Sequence, residues 1–219
     1  TICPAQEVAA LFVEPIQGEG GICCPDPDYL GKVRRLCDQH NILMILDEIQ
    51  TGMGRTGTLF AHTHFGVCPD IMTLAKALAN GLPIGAMLAT QTVASAFGIG
   101  AHASTFGGSP LVAAAALETL TILIEEQIVA HGRATGDYFK AALAALKARH
   151  ARICEVRGQG LLLGIRLDGP ADQLVQACLE KGFLVNAVQG DTLRFVPPLI
   201  VSKNDIDALI QCLDEVLAG

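Results

Sequence analysis

Two ionisable residues stand in apolar surroundings. Asp47 ends the run ILMILD, and Lys76 lies between alanines in LAKALANGLPIGAML. A carboxylate closing a buried strand is unfavourable unless a cation or strong donor meets it. A lysine buried among such neighbours gives up its proton more readily and becomes a nucleophilic amine, the form that makes an imine with an aldehyde. Each residue also has an ordinary reading. Asp47 can cap a turn, and Lys76 can lay its stem on apolar surface while its head reaches water.

The segment LDEIQTGMGRTG sets up a competing assignment, because Gly52, Gly54 and Gly57 spell G-x-G-x-x-G straight after an apolar run. A dinucleotide-binding turn of that pattern needs a helix opening at its second glycine and an acidic residue at the end of the next strand. The residues after Gly57, TLFAHTHFGVCPD, have no helical period and carry a proline. The glycines therefore read as turn formers, and the chemistry shifts to the polar residues before them. A nucleotide-binding module and a fold kept without chemistry stay open as alternatives. His62, His64 and Cys68 lie in an irregular stretch with no second ligand pair, so no metal site is expected.

Elements must bring Asp47 and Lys76 together. ALFVEPI, ILMILDEI, IMTLAKA and GAMLAT read as buried strands separated by helix-length connections, which predicts a mostly parallel sheet covered on both faces. Open α/β sheets bind ligands at the carboxyl ends of their strands, where both residues fall. Asp26-Pro27 predicts a helix start, with Leu30, Val33, Leu36 and Cys37 on one face. An alanine-rich helical stretch runs from Pro110 towards His150, with a break expected near His131-Gly132. Beyond it, ICEVRGQGLLLGIRL and FLVNAVQGDTLRFVPP read as strands, and ADQLVQACLEKG and SKNDIDALIQCLDEVLAG as helices, the last opened by Ser202 with Asp205 three residues on. The expected organisation is a larger α/β domain with a connecting helix over 1–150 and a small α+β domain over 151–219.

Bulk properties narrow the partners. The 219-residue chain is 51% hydrophobic with a formal net charge of -7, which argues against nucleic acid or an anionic membrane and for a small-molecule ligand. Its 8 cysteines show no C-x-x-C, so a reducing, cytoplasmic setting is expected rather than a disulfide framework. No apolar run approaches the roughly 18 residues of a membrane span.

A lysine and an aspartate at the ligand edge of one sheet suit pyridoxal phosphate chemistry, in which the lysine binds the cofactor aldehyde and the aspartate keeps the ring nitrogen protonated. EPIQGEGG from Glu14 to Gly21, LDEIQTGMGRTG, LAKALANGLPIGAML, STFGGSPL from Ser104 to Leu111 and LRFVPPL from Leu193 to Leu199 succeed one another in a distinctive order. That order and spacing resemble the class III, or omega-amino acid, aminotransferases over essentially the whole chain, and VRGQGLLLGI extends the likeness.

The resemblance implies a fold-type I transferase, of which this chain holds part of the large, mostly parallel α/β domain and the small C-terminal α+β domain. It implies pyridoxal 5'-phosphate as cofactor. The reaction implied moves the terminal amino group of N-acetylornithine, or a close analogue such as ornithine, succinylornithine, succinyl-diaminopimelate or 4-aminobutyrate, to 2-oxoglutarate, in arginine biosynthesis. Lys76 is then the Schiff-base lysine, Asp47 the partner of the pyridine nitrogen and Gln50 a side chain beside the ring. Thr105, with Ser104, faces the cofactor phosphate of a neighbouring subunit in a homodimer with a shared active site. Arg194 clamps a substrate carboxylate, and Glu19 pairs with it when the substrate does not.

Elementary chemistry bears on these roles unequally. Arg194, between Leu193 and Phe195, is a poorly solvated guanidinium suited to a carboxylate, or an ordinary strand arginine. Glu19 among glycines also reads as a solvated turn residue, and Thr105 as a helix N-cap near Pro110. The chain departs from the family at Gly107-Gly108-Ser109-Pro110, where the usual block is GGNP. It has about half the length of a two-domain enzyme of this kind. The glycine-threonine phosphate cup, a ring-stacking aromatic and a second carboxylate-binding arginine are expected before Thr1, and the chain alone is expected to bind the cofactor weakly.

Overall fold

The computed structural model describes residues 3–218, and the chain forms two compact units. The first is Thr1–Pro15, Pro25–Met53 and Phe60–Glu126, and the second is Ile16–Cys24, Gly54–Leu59 and Gln127–Gly219.

The first unit is built on four strands, β1 (Ala10–Val13), β2 (Leu43–Asp47), β3 (Ile71–Leu74) and β4 (Ala86–Ala89), in the order β1-β2-β3-β4. β1, β2 and β3 run parallel and β4 is antiparallel, so the sheet is mostly parallel as the apolar runs predict. Helix α1 (Tyr29–His40) covers one face, with Leu30, Val33 and Cys37 packed on Met44 and Leu46. Burying an aliphatic side chain of that size stabilises by about 1.5–3 kcal/mol. The helix starts two residues after the expected proline, behind Asp28, and Leu36 turns to solvent. It ends at Asn41, which takes the left-handed conformation at φ 54° and donates its N–H to the Cys37 carbonyl. Arg34 ties α1 to the sheet through Asp70, whose Oδ2 accepts from Arg34 Nη1 and from the Met44 N–H, both at 2.7 Å. Desolvation acts to raise the Asp70 pKa, but these two donors outweigh it and hold the carboxyl below its ordinary range.

The other face of this sheet is not closed over as the sequence pattern predicts. Phe12 is 58% exposed and Met87 50%. Helices α2 (Gln91–Ala94) and α3 (Pro110–Glu125) complete the unit, and α3 packs against the short 3-10 turn Lys76–Ala79 rather than along the strands. Leu111 and Leu117 on α3 are 73% and 67% exposed.

The second unit holds an antiparallel sheet in the order β5-β6-β8-β7, formed by β5 (Ile153–Gln159), β6 (Leu162–Leu167), β7 (Asn186–Val188) and β8 (Thr192–Phe195). Helices α4 (Ile128–Arg149), α5 (Asp172–Glu180) and α6 (Lys203–Ala218) pack on it around Phe139, Leu143, Leu146, Leu163, Ile165, Leu193 and Leu213. Because Phe139, Leu143 and Leu146 belong to this core, α4 is part of the second unit, and compactness divides the chain at Glu126 and Gln127 rather than at 150. The helical break also lies there, at Gln127 with φ 56°, and α4 continues through Gly132. The glycines inside α4 have another purpose. A Cβ on Gly136 would run into the backbone of Gly160, and a Cβ on Gly160 would run into that of Thr56. Arg55 binds the same region, donating from Nη1 to the Pro197 carbonyl at 2.6 Å and the Leu161 carbonyl at 3.2 Å. Burial pushes this guanidinium down to about 10. At the far end, Ser202 and Asp205 cap α6 reciprocally: the Asp205 N–H donates to Ser202 Oγ at 3.2 Å and the Ser202 N–H to Asp205 Oδ2 at 3.0 Å.

Two glycines of helical conformation should therefore respond oppositely to alanine. At Gly31 in α1 the nearest atom to a new Cβ is the Arg35 guanidinium at 3.7 Å, so Gly31→Ala should stabilise by roughly 0.5–1 kcal/mol. Gly136→Ala should destabilise by at least about 2 kcal/mol, because backbone must move to admit it. Urea denaturation of both variants checks this, and an unchanged midpoint for Gly136→Ala would refute the packing account.

Candidate functional site

β2 and β3 are neighbouring parallel strands with Asp47 opposite Thr73, so both chains leave the sheet at the same edge. Asp47 ends β2 half-buried, on the face away from Met44 and Leu46. Its Oδ1 accepts the Ile49 N–H at 2.9 Å and the Thr73 hydroxyl at 3.2 Å. Those two bonds fix the carboxylate plane and leave Oδ2 without a partner among the described residues. Gln50 lies half-buried in the turn just beyond.

Lys76 comes two residues after β3 and opens the 3-10 turn Lys76–Ala79. Its backbone is left-handed, φ 51°, between extended Ala75 and the rest of the turn. Such a conformation in a residue with a Cβ costs about 1–3 kcal/mol, and it clusters at sites where geometry matters more than stability. The expectation of a buried lysine does not hold: Lys76 is exposed, while Leu78 and Ala79 are the buried residues of the turn. The turn thus buries Leu78 and Ala79 and leaves Lys76 facing out.

Glu48 lies beside Asp47, and the motifs alone do not single it out. It is 1% exposed, and its carboxylate takes the Thr51 hydroxyl at 2.5 Å, the Ala61 N–H at 2.9 Å and the His62 N–H at 2.8 Å. Its own N–H continues the ladder to the Thr73 carbonyl at 3.0 Å. Alternation along β2 held the signal, since the residue after Asp47 must face the side of Met44 and Leu46, where a carboxylate needs several donors.

Ser104 and Thr105 are exposed in the segment before α3. Ser104 Oγ accepts the Gly107 N–H at 2.9 Å. The N-cap of α3 is Ser109, with Pro110 at the first helical position, so Thr105 does not cap this helix. No α-helix opens at Gly54 or Gly57; both glycines have φ near +85° (86° and 85°) and turn the chain. His62 Nδ1 meets the Val67 carbonyl at 2.8 Å, and among the described residues no group of three His, Cys, Asp or Glu is placed to hold a metal ion.

Glu19 and Arg194 belong to the second unit, and the structure brings them together. Arg194 Nη1 donates to Glu19 Oε1 at 2.6 Å, and Nε donates to Asn186 Oδ1 at 3.3 Å. The Arg194 side chain is 14% exposed and Glu19 66%, so the guanidinium is held while the carboxylate reaches it from water. Ile16 and Ile22, both fully buried with Leu162, anchor the loop bearing Glu19. Gly164, opposite Arg194 in β6, leaves room for Ile22, whose Cγ1 would lie 3.1 Å from any added Cβ.

A primary amine and an unpartnered carboxylate oxygen at adjacent strand ends fit an aldehyde-bearing cofactor with a protonated ring nitrogen, and the residues present suit pyridoxal phosphate. The class that this fold and site define is matched directly: residues 4–217 match the class-III aminotransferase family, and the chain belongs to it. It is 49% identical over 212 residues to an acetylornithine aminotransferase of Methanocaldococcus jannaschii, covering 96% of this chain and 53% of that protein. A succinylornithine transaminase of Yersinia pseudotuberculosis is 46% identical over 204 residues, 91% of this chain and 49% of that protein. The solved ornithine aminotransferase of Toxoplasma gondii has a TM-score of 0.92 at 38% identity, over 97% of this chain and 51% of that one. The chain thus spans about half the length of the curated relatives it matches. No helix among the described residues is long and apolar enough to cross a membrane.

The Glu48 network holds the turn that comes after Asp47. Glu48→Ala leaves three donors unpaired and should destabilise by about 3 kcal/mol, with Glu48→Gln intermediate because one acceptor oxygen remains. Urea denaturation measures both; a Glu48→Ala loss under about 0.5 kcal/mol would show that the carboxylate holds nothing.

Proposed function

We propose that this chain carries the lysine-bearing part of a pyridoxal phosphate-dependent aminotransferase that moves the terminal amino group of N-acetylornithine, or a close analogue, to 2-oxoglutarate. The observation that carries the reading is the pairing of Lys76 with Asp47 at adjacent carboxyl ends of parallel strands, with Asp47 Oδ2 open. The names of the relatives support the substrate class, and the Toxoplasma gondii structure is described with PLP at its active site. On this reading the phosphate cup and the ring-stacking aromatic come from further polypeptide. The protein works in the cytoplasm as a homodimer, with Thr105 and Ser104 facing the partner's cofactor phosphate and the exposed apolar residues of the first unit covered.

When bound, the cofactor supplies an electron sink for the carbon that loses its proton. Lys76 Nζ would hold the cofactor through its aldehyde and, as a neutral amine, would take and return the proton at the reacting substrate carbon. Asp47 Oδ2 would keep the ring nitrogen protonated, with the Thr73 hydroxyl and the Ile49 N–H holding the carboxylate in place. Gln50 would be the side chain beside the ring. Arg194 binds a carboxylate of 2-oxoglutarate in two-pronged fashion, and Glu19 takes that place when the donor's far end lacks a matching carboxylate.

In the complete enzyme, Lys76→Ala should abolish turnover and the cofactor's lysine-bound absorbance, and Asp47→Asn should slow proton abstraction by about 10³-fold with the fold intact. Steady-state rates and visible spectra decide it; full activity in Lys76→Ala would end the aminotransferase reading.

The two half-reactions should separate at the ion pair. Arg194→Ala should raise the KM for 2-oxoglutarate on the order of a hundredfold and leave that for the donor within a few-fold. Glu19→Ala should shift preference towards ordinary alpha-amino donors by about tenfold. Equal changes in both half-reactions would contradict this division.

A further inference from the structure

We propose that Gln189, in the turn between β7 and β8, is a positioning residue that holds the Glu19 carboxylate at Arg194. Gln189 Nε2 donates to the Glu19 backbone carbonyl at 2.8 Å. Its stem lies against Gly21, where an added Cβ would stand 3.6 Å from Gln189 Cγ. All four residues belong to the second unit.

The loop that bears Glu19 is fixed at its ends and loose at its tip. Gln17 and Cys23 exchange both backbone bonds, Gln17 N–H to Cys23 O at 3.0 Å and Cys23 N–H to Gln17 O at 3.1 Å, and Arg157 Nη1 donates to the Gly21 carbonyl at 3.2 Å. The tip reads Gly18-Glu19-Gly20-Gly21, and glycines on either side give the peptide planes around Glu19 the widest choice of orientation. The Gly21 and Ile22 N–H groups both reach the Gly18 carbonyl at 3.4 Å, beyond the usual hydrogen-bond range. The Gln189 bond is well within that range, and it fixes the peptide plane that joins Glu19 to Gly20.

A tie holds only if its far end is fixed, and this one is. Gln189 stands at φ 53° in a turn whose next two carbonyls are taken, Gly190 O by the Ala171 N–H at 2.9 Å and Asp191 O by the Leu167 N–H at 2.8 Å. The same hairpin bears Asn186, whose Oδ1 accepts Arg194 Nε at 3.3 Å. One hairpin thus holds both partners of the ion pair, the guanidinium through Asn186 and the backbone of the carboxylate residue through Gln189. With that backbone held, the Glu19 carboxylate leaves and returns by side-chain rotation alone, and its effective concentration at Arg194 stays high. Gln189 thereby sets how hard an incoming carboxylate must compete for the arginine. The bearing of the tie on ligand choice rests on the proposed function, whereas the tie itself does not.

The test has an arm for each. In NMR spectra of the whole protein carrying isotope-labelled arginine, the Arg194 Nε–H signal is identified by its loss in Arg194→Lys. Glu19→Ala should move that signal, and Gln189→Met, which keeps an unbranched stem and loses the donor, should move it at least roughly a third of the same way. Adding Gln189→Met to Glu19→Ala should move it no further. A signal unmoved in Gln189→Met or in Glu19→Ala, or an equal shift from Gln189→Met in both backgrounds, would overturn the proposal. The second arm follows glutarate binding to the same variants by calorimetry. Gln189→Met should tighten glutarate about threefold and Glu19→Ala about tenfold, with no further gain when both are combined. Weaker glutarate binding from Gln189→Met in both backgrounds would mark a general loosening of the hairpin and also overturn the proposal. Glutarate binding indifferent to Glu19→Ala, beside the expected NMR shifts, would uphold the tie and remove the carboxylate-binding role given to Arg194 under the proposed function.

Discussion

Parallel pairing of β2 with β3 is the constraint on which the site of the first unit depends. Side chains alternate along a strand, so the burial of Met44 and Leu46 under α1 obliges Asp47 to point the other way. Register then places Thr73 opposite Asp47, where its hydroxyl can hold the carboxylate. A slip of one residue would turn Asp47 into the α1 core and lose that hydroxyl. Antiparallel pairing would send the chain after β3 to the far edge of the sheet and carry Lys76 away. The hydrophobic pattern, which has no chemistry of its own, therefore decides where the chemistry is.

The second unit solves a different problem. Its helix α4 approaches the turn at Gly160 closely enough that no Cβ fits at Gly136, and Gly160 in turn leaves none between itself and Thr56. Three layers of backbone thus stack without intervening side chains, and Arg55 stitches the stack through carbonyl oxygens. The rigidity gained there supports β6 and β8, the strands that hold Gly164 and Arg194 opposite each other. The carboxylate of Glu19 is more than half exposed, whereas its guanidinium partner is not. On the proposed function, an exchange of partners at this pair would move the carboxylate and leave the arginine fixed.

Much of this was legible in the sequence, for reasons that differ from element to element. Continuous apolar runs marked all four strands of the first sheet, because both faces of those strands carry mostly apolar side chains. The Ser202 and Asp205 box marked the start of α6, because cap chemistry is local. The break in the long helical stretch was misplaced: Gly132 looks like a helix breaker in one dimension and turns out to be a contact surface in three. The exposure of Lys76 was likewise hidden, since apolar flanks describe the neighbours of a residue in the chain and not the side to which a 3-10 turn directs it. Glu48 was overshadowed by Asp47, although alternation alone puts the two carboxylates on opposite faces with opposite fates.

The backbone at Lys76 adds a tension between fold and chemistry. Glycine or asparagine would rest more comfortably at φ 51°, and a lysine there stores strain that the surrounding turn and α3 must contain. A population of variants screened for thermal resistance alone would drift towards glycine at this position, gaining robustness and discarding the amine. If Lys76 has the role proposed above, position 76 is a place where sturdiness and reactivity are selected against each other.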